Sequence, residues 1–84
     1  MTKSAHSETA EAFRALLREL RTEAGLSQAA LAERLGLPQS YVSKYETGER
    51  RLDFVETVRV CEAAGISIER FVKRFRARTE GVKK

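Results

Sequence analysis

Leu26 to Gly48 reads LSQAALAERLGLPQSYVSKYETG, and this stretch leaves the chain few ways to fold. Ser27 is a good N-cap residue, and Leu26 before it is spaced to staple onto Leu31. Leu31, Ala32 and Leu35 recur at helical spacing until Gly36 stops the run. Pro38 suits the first position of a second helix, where a missing N–H costs nothing. Leu37 is spaced to staple onto Val42, and Gly48 ends that helix after Thr47. Two short helices meeting at a sharp angle need a small side chain where their backbones approach. They also need a residue that tolerates positive φ between them. Ala32 and Gly36 supply these. Leu31, Leu35, Leu37, Val42 and Tyr45 then lock the pair from inside.

The second helix has two unlike sides. Counting about 100° per residue, Ser40, Ser43, Lys44 and Thr47 share one side, while Val42, Tyr45 and Glu46 lie opposite. Gln39 and Tyr41 flank the polar side. One side is core, and the other is a row of hydrogen-bonding groups.

The rest of the chain is helical in pattern. Phe13, Leu16, Leu17, Leu20 and Ala24 recur at helical spacing from about Thr9, and Gly25 follows as a C-terminal stop. Asp53 to Glu56 reads as a capping box opening a fourth helix, with Phe54, Val58, Cys61 and Ala64 expected on its inner stripe. Ser67 opens a fifth, with Ile66 stapled to Phe71, and Phe71, Val72 and Phe75 are expected to face inward. Phe71 reads as core; Phe75 reads as core or as part of a dimer seam. The expected architecture is all-α, a compact five-helix domain over residues 9–78. Residues 1–8 are read as a disordered tail and residues 79–84 as a frayed basic one.

Composition sets limits on what such a domain does. A chain of 84 residues buries only about 60% of its unfolded surface, too little for a deep catalytic cleft. No Ser/His/Asp set, metal-ligand cluster or phosphate-binding glycine loop stands in the sequence. No enzyme activity, metal or cofactor is therefore expected. His6 has no Cys or acidic companions and reads as a solvated side chain. Cys61 is the only cysteine, reads as a core residue and fits a reducing cytosol. Without a long apolar run or a secretory stretch, nothing is expected to enter a membrane, and the location read is cytoplasmic. The net charge of +4 is unevenly spread: residues 1–66 carry nine Lys/Arg against ten Asp/Glu, and residues 67–84 carry seven against two. The run RFVKRFRARTEGVKK is either a solvated helix face or a phosphate-contacting one.

Two helices joined in this way make a helix-turn-helix, whose second helix enters the major groove of DNA. Gln28 to Thr47, QAALAERLGLPQSYVSKYET, resembles the helix-turn-helix of the lambda-repressor-like family, the Cro/cI or xenobiotic-response-element type. The resemblance covers about residues 9 to 75, and PQSYVSKYETGERRLD is closer to small bacterial regulators of that family than to phage repressors. Pro38 stands where Ser or Thr is the commoner N-cap. The resemblance implies that Gln39 and Ser40 are the first base-reading positions, with Ser43 and Lys44 on the next turn. It implies that Gln28 bridges a phosphate and Gln39, that Thr47 lies near a phosphate, and that Arg21 and Glu46 form a salt bridge tying the first helix to the third.

Side-chain chemistry is consistent with those roles. A Gln amide pairs in a bidentate way with adenine, Lys donates to guanine, and Ser donates or accepts. Arg50 and Arg51 suit backbone phosphates; pairing with Glu49 and Asp53 is their bland alternative. Tyr41 either touches the duplex or covers the helix flank. The expected function is a sequence-specific double-stranded DNA-binding regulator, a repressor that occupies a palindromic operator as a homodimer and blocks RNA polymerase. Contact with polymerase would instead activate. The alternative is an antitoxin, a protein-interaction module whose partner is a toxin and which also binds its own promoter. With the domain filling the chain, no ligand-sensing module is expected.

Overall fold

The computed structural model describes residues 8–80. Helix α1 spans Glu8–Glu23, α2 Gln28–Leu35, α3 Gln39–Thr47, α4 Phe54–Ala63 and α5 Ile68–Thr79. Among the described residues there is no strand, and no helix is long and apolar enough to cross a membrane. The all-α, five-helix expectation stands. Glu8 and Thr79 lie in α1 and α5, not in tails. The other tail expectations, His6 included, lie outside the described residues apart from Glu80.

Local chemistry starts and stops these helices. Ser27 Oγ accepts from the Ala30 N–H at 3.0 Å, and Ser67 Oγ from the Arg70 N–H at 3.2 Å. At α4 the box is reciprocal: Asp53 Oδ1 accepts from the Glu56 N–H at 2.7 Å, and Glu56 Oε1 from the Asp53 N–H at 2.9 Å. Gly36 has φ +72, and the Leu37 N–H returns to the Ala32 carbonyl at 3.0 Å. That left-handed cap turns the chain from α2 into α3. Pro38 is not the first helical residue but the N-cap itself, and its side chain caps nothing. The N-terminal amides of α3 therefore lack a side-chain partner at that cap.

Each helix contributes to one core: Leu16, Leu17 and Leu20 from α1, Leu31 and Ala32 from α2, Val42 and Tyr45 from α3, Val60 and Cys61 from α4, and Phe71 from α5. Helix α1 packs on α3 and α5, while α4 packs on α2 and α5. The Phe13 ring meets Phe71 edge-on at 5.9 Å, and Phe71 stacks on Phe75. Burial pushes the Cys61 thiol up to about 11, so it behaves as a small apolar residue.

The inward stripes of α4 and α5 differ from expectation. Phe54 is 68% exposed and Val58 only half-buried, whereas Val60 and Thr57 are buried. Thr57 is tolerated inside because its hydroxyl donates to the Asp53 carbonyl at 2.8 Å. Phe54 is the first residue of α4, ahead of the turns that supply its buried residues. On α5, Val72 is 41% exposed, because the inward direction is centred on Phe71 and Phe75. Two of the basic residues of α5 are turned onto α1: Arg78 pairs with Glu19 at 2.7 Å and Arg74 with Glu23 at 3.0 Å. Arg70, Lys73 and Arg76 are exposed.

Candidate nucleic-acid interface

Helix α3 has a buried side and an exposed one. Val42 and Tyr45 anchor it in the core, and Gln39, Ser40, Lys44 and Thr47 are exposed. Ser43 and Tyr41 are half-buried at its flanks. Thr47 Oγ1 donates to the Lys44 carbonyl at 3.1 Å, closing the last turn.

A chain of side-chain hydrogen bonds runs from α1 to the start of α3. Arg21, 8% exposed, donates from Nε to Glu46 Oε2 at 2.8 Å and from Nη2 to Glu46 Oε1 at 3.1 Å. Its Nη1 donates to the Leu26 carbonyl at 3.0 Å, so one guanidinium holds both the α1–α2 turn and α3. Hydrogen bonding to Glu46 raises the Arg21 pKa against the opposing cost of burial. Glu46 Oε1 also accepts from Gln28 Nε2 at 3.0 Å, and Gln28 Oε1 accepts from Gln39 Nε2 at 3.4 Å. The Glu46 carboxylate can only accept, which makes the Gln28 amide its donor. The Gln28 oxygen is thereby aimed at Gln39. Gln39 is exposed, and beyond this bond it retains one N–H and its carbonyl oxygen, the donor–acceptor pair that a base edge requires.

The loop after α3 is organised differently from its sequence reading. Arg50 pairs with neither Glu49 nor Asp53. It donates to both oxygens of Glu56, at 2.8 and 3.3 Å, and lies 4.7 Å from the centre of the Tyr41 ring. The Arg50 guanidinium, followed by the Asp53 backbone N–H, holds the Glu56 carboxyl down at about 2. Tyr41 is thus covered by Arg50, and burial raises its phenol pKa. Sequence reasoning missed Glu56 as this partner. The signal was present in the capping box, which brings Glu56 back over the loop with acceptor capacity to spare. Arg51 is exposed beside Arg50. Behind them, Arg14 of α1 lies over Gly48, so that a Cβ there would sit 3.1 Å from the Arg14 Cζ.

Comparison with known proteins gives a consistent picture. Residues 12–71 match a family described as helix-turn-helix domain. A solved structure described as an XRE-family like protein from Pseudomonas syringae pv. tomato str. DC3000 is 42% identical, covers 84% of this chain and 87% of its own, and superposes with a TM-score of 0.79. The clp gene regulator ClgR from Corynebacterium glutamicum is 26% identical, with coverage of 86% and 77% and a TM-score of 0.74. No curated protein sequence gives a significant match.

Proposed function

Because the chain belongs to the XRE-type helix-turn-helix family, we propose that it regulates transcription by binding double-stranded DNA in a sequence-specific way, with α3 in the major groove. The observation that carries this reading is Gln39, held by Gln28 and, through it, by Glu46 and Arg21. Such a relay biases the side chain before DNA arrives, so less rotamer freedom is lost on binding. Gln39 and Ser40 read the first bases, and Ser43 and Lys44 read those facing the next turn. Gln28, Thr47 and Arg51 contact backbone phosphates, and the unfilled N-terminus of α3 offers amides to another. Arg50 holds Glu56 with Nη1 and Nη2 and keeps further N–H groups for a phosphate while it lies over Tyr41.

One recognition helix spans only a few base pairs, so the working form is a dimer on a palindromic operator with half-sites about 34 Å apart. Occupancy that excludes RNA polymerase makes it a repressor. Nothing in the comparisons favours the antitoxin alternative.

Selection of bound duplexes from a random pool tests the whole reading. A palindromic consensus is expected, with two protomers per duplex in sedimentation. Gln39→Ala should cost about 1–3 kcal/mol on that consensus and relax one base position in each half-site. If Gln39→Ala weakened consensus and random DNA alike, α3 would not be the reader.

A further inference from the structure

Helix α4 carries an apolar strip that the core leaves uncovered. Phe54 is 68% exposed, Val55 is 59% exposed, and Val58, one turn on from Phe54, is half-buried. At about 100° per residue the three share one flank of the helix, distinct from the buried side centred on Thr57 and Val60. Scattered apolar side chains are ordinary on a surface, whereas a contiguous group marks a contact.

The strip is self-complementary in charge. Asp53 precedes it and Arg59 follows it, both exposed. Asp53 gives Oδ1 to the cap of α4, and its other oxygen can accept a further bond. Laid antiparallel across a two-fold axis, two strips bring the start of each against the far end of the other. Phe54 then meets the partner's Val58, and Arg59 meets the partner's Asp53. Helix α5 does not offer this. Its exposed Val72 shares a flank with Lys73 and Arg76, so two copies there would set like charges together.

Position and area say when the strips meet. Only residues 48–53 separate α3 from α4, and the Arg50–Glu56 pair ties that loop to the first turn of α4. A contact through Phe54 therefore also fixes the second copy relative to the proposed reading helix. Phe54, Val55 and Val58 expose roughly 250 Å² per protomer, against about 800 Å² per partner in a stable interface. We propose that the strip is a self-contact surface, an antiparallel pairing of α4 with α4 of a second copy. It is too small to hold two copies together in solution and forms when DNA seats them on adjacent half-sites. There the copies meet at an effective concentration near the millimolar range, where a weak contact suffices. The pairing makes the second half-site cooperative and sets the half-site spacing that the dimer accepts. Its formation on an operator rests on the DNA-binding reading above; the self-complementarity of the strip does not.

Anisotropy titrations of the selected operator and of its isolated half-site test the pairing. The second copy should bind the full operator at least fivefold more tightly than the half-site, within the usual range of coupling between sites. Phe54→Ser combined with Val55→Ser should bring that factor to within twofold of unity and leave the half-site Kd within twofold. Both residues are exposed, and circular dichroism checks the fold. Arg59→Glu should lower the factor at least threefold. Inserting about five base pairs at the operator centre, half a helical turn, should remove it. Without DNA, raising the protein from micromolar to millimolar concentration should move amide signals of residues 53–59 in the parent and not in the double variant. The self-contact is refuted if the parent shows no cooperativity, if the double variant keeps it, or if that variant loses half-site affinity as well. A micromolar dimer that the double variant leaves intact also refutes it. Cooperativity unchanged by Arg59→Glu refutes the antiparallel register alone. A chain that binds no duplex refutes the regulatory reading, and the amide signals then decide the strip: shifts elsewhere, or none, refute it as a contact between copies.

Discussion

Glu56 takes part in two structures at once, the cap of α4 and the clamp on Arg50. Its folded pKa, about 2, lies below the ordinary 4.5. A lowered carboxylate stabilises the fold above its unfolded pKa, and that contribution is lost as pH falls through the folded one. The window is therefore roughly pH 4.5 down to 2. Glu56→Gln should show a flatter fall in Tm across that window than the parent chain; parallel curves in scanning calorimetry would refute the clamp as its cause. Arg21 is a different case, since its partner's side chain is only 5% exposed. Arg21→Ala leaves Glu46 buried without its cation and should cost about 3–5 kcal/mol of stability, measured by urea unfolding.

Helices α2 and α3 have eight and nine residues, too few to persist alone in water. They exist because α1 and α4 pack against them and because their ends are capped. Two glycines at those ends separate backbone strain from steric strain. Gly36 and Gly48 both have positive φ, but a Cβ at Gly36 meets open space while one at Gly48 meets Arg14. Gly36→Ala should cost about 1–2 kcal/mol from the left-handed backbone alone. Gly48→Ala should cost more, and the excess should vanish in an Arg14→Ala background. A double-mutant cycle in urea checks this, and an unchanged excess would locate the strain elsewhere.

The described chain measures 36 Å along its longest axis, close to the roughly 34 Å between successive major-groove turns on one face of a duplex. Two copies on adjacent turns of such an operator therefore lie within reach of each other. Two of the five basic residues of α5, Arg74 and Arg78, are held by Glu23 and Glu19 of α1, while Arg70, Lys73 and Arg76 are exposed. With α3 as the proposed reading helix, the salt dependence is expected to include Arg51 beside it. Arg51→Ala is expected to weaken all DNA sequences equally and to reduce the slope of log K against log salt by about one per protomer, measured by fluorescence anisotropy. An unchanged slope would remove Arg51 from the phosphate contacts.

Helix ends and helix number were legible because the interactions that make them are local. Ser27, Asp53, Glu56 and Ser67 act on amides three residues away, and the glycines act on their own φ. The polar row on α3 was legible for a related reason, since helical spacing places Ser40, Lys44 and Thr47 together whatever the rest of the chain does. Which side of α4 turns inward was not legible. Cys61 was expected inside and is buried, but Phe54, Val55, Val58 and Val60 put apolar side chains on several sides, and only packing against α2 and α5 selects Thr57 and Val60 as its neighbours. The link of Gln28 to Glu46 and the clamp of Arg50 on Glu56 were likewise closed only by tertiary structure. Each joins residues from different helices or across a loop. Periodicity orders side chains around one helix axis, but it carries no information on where the next axis lies.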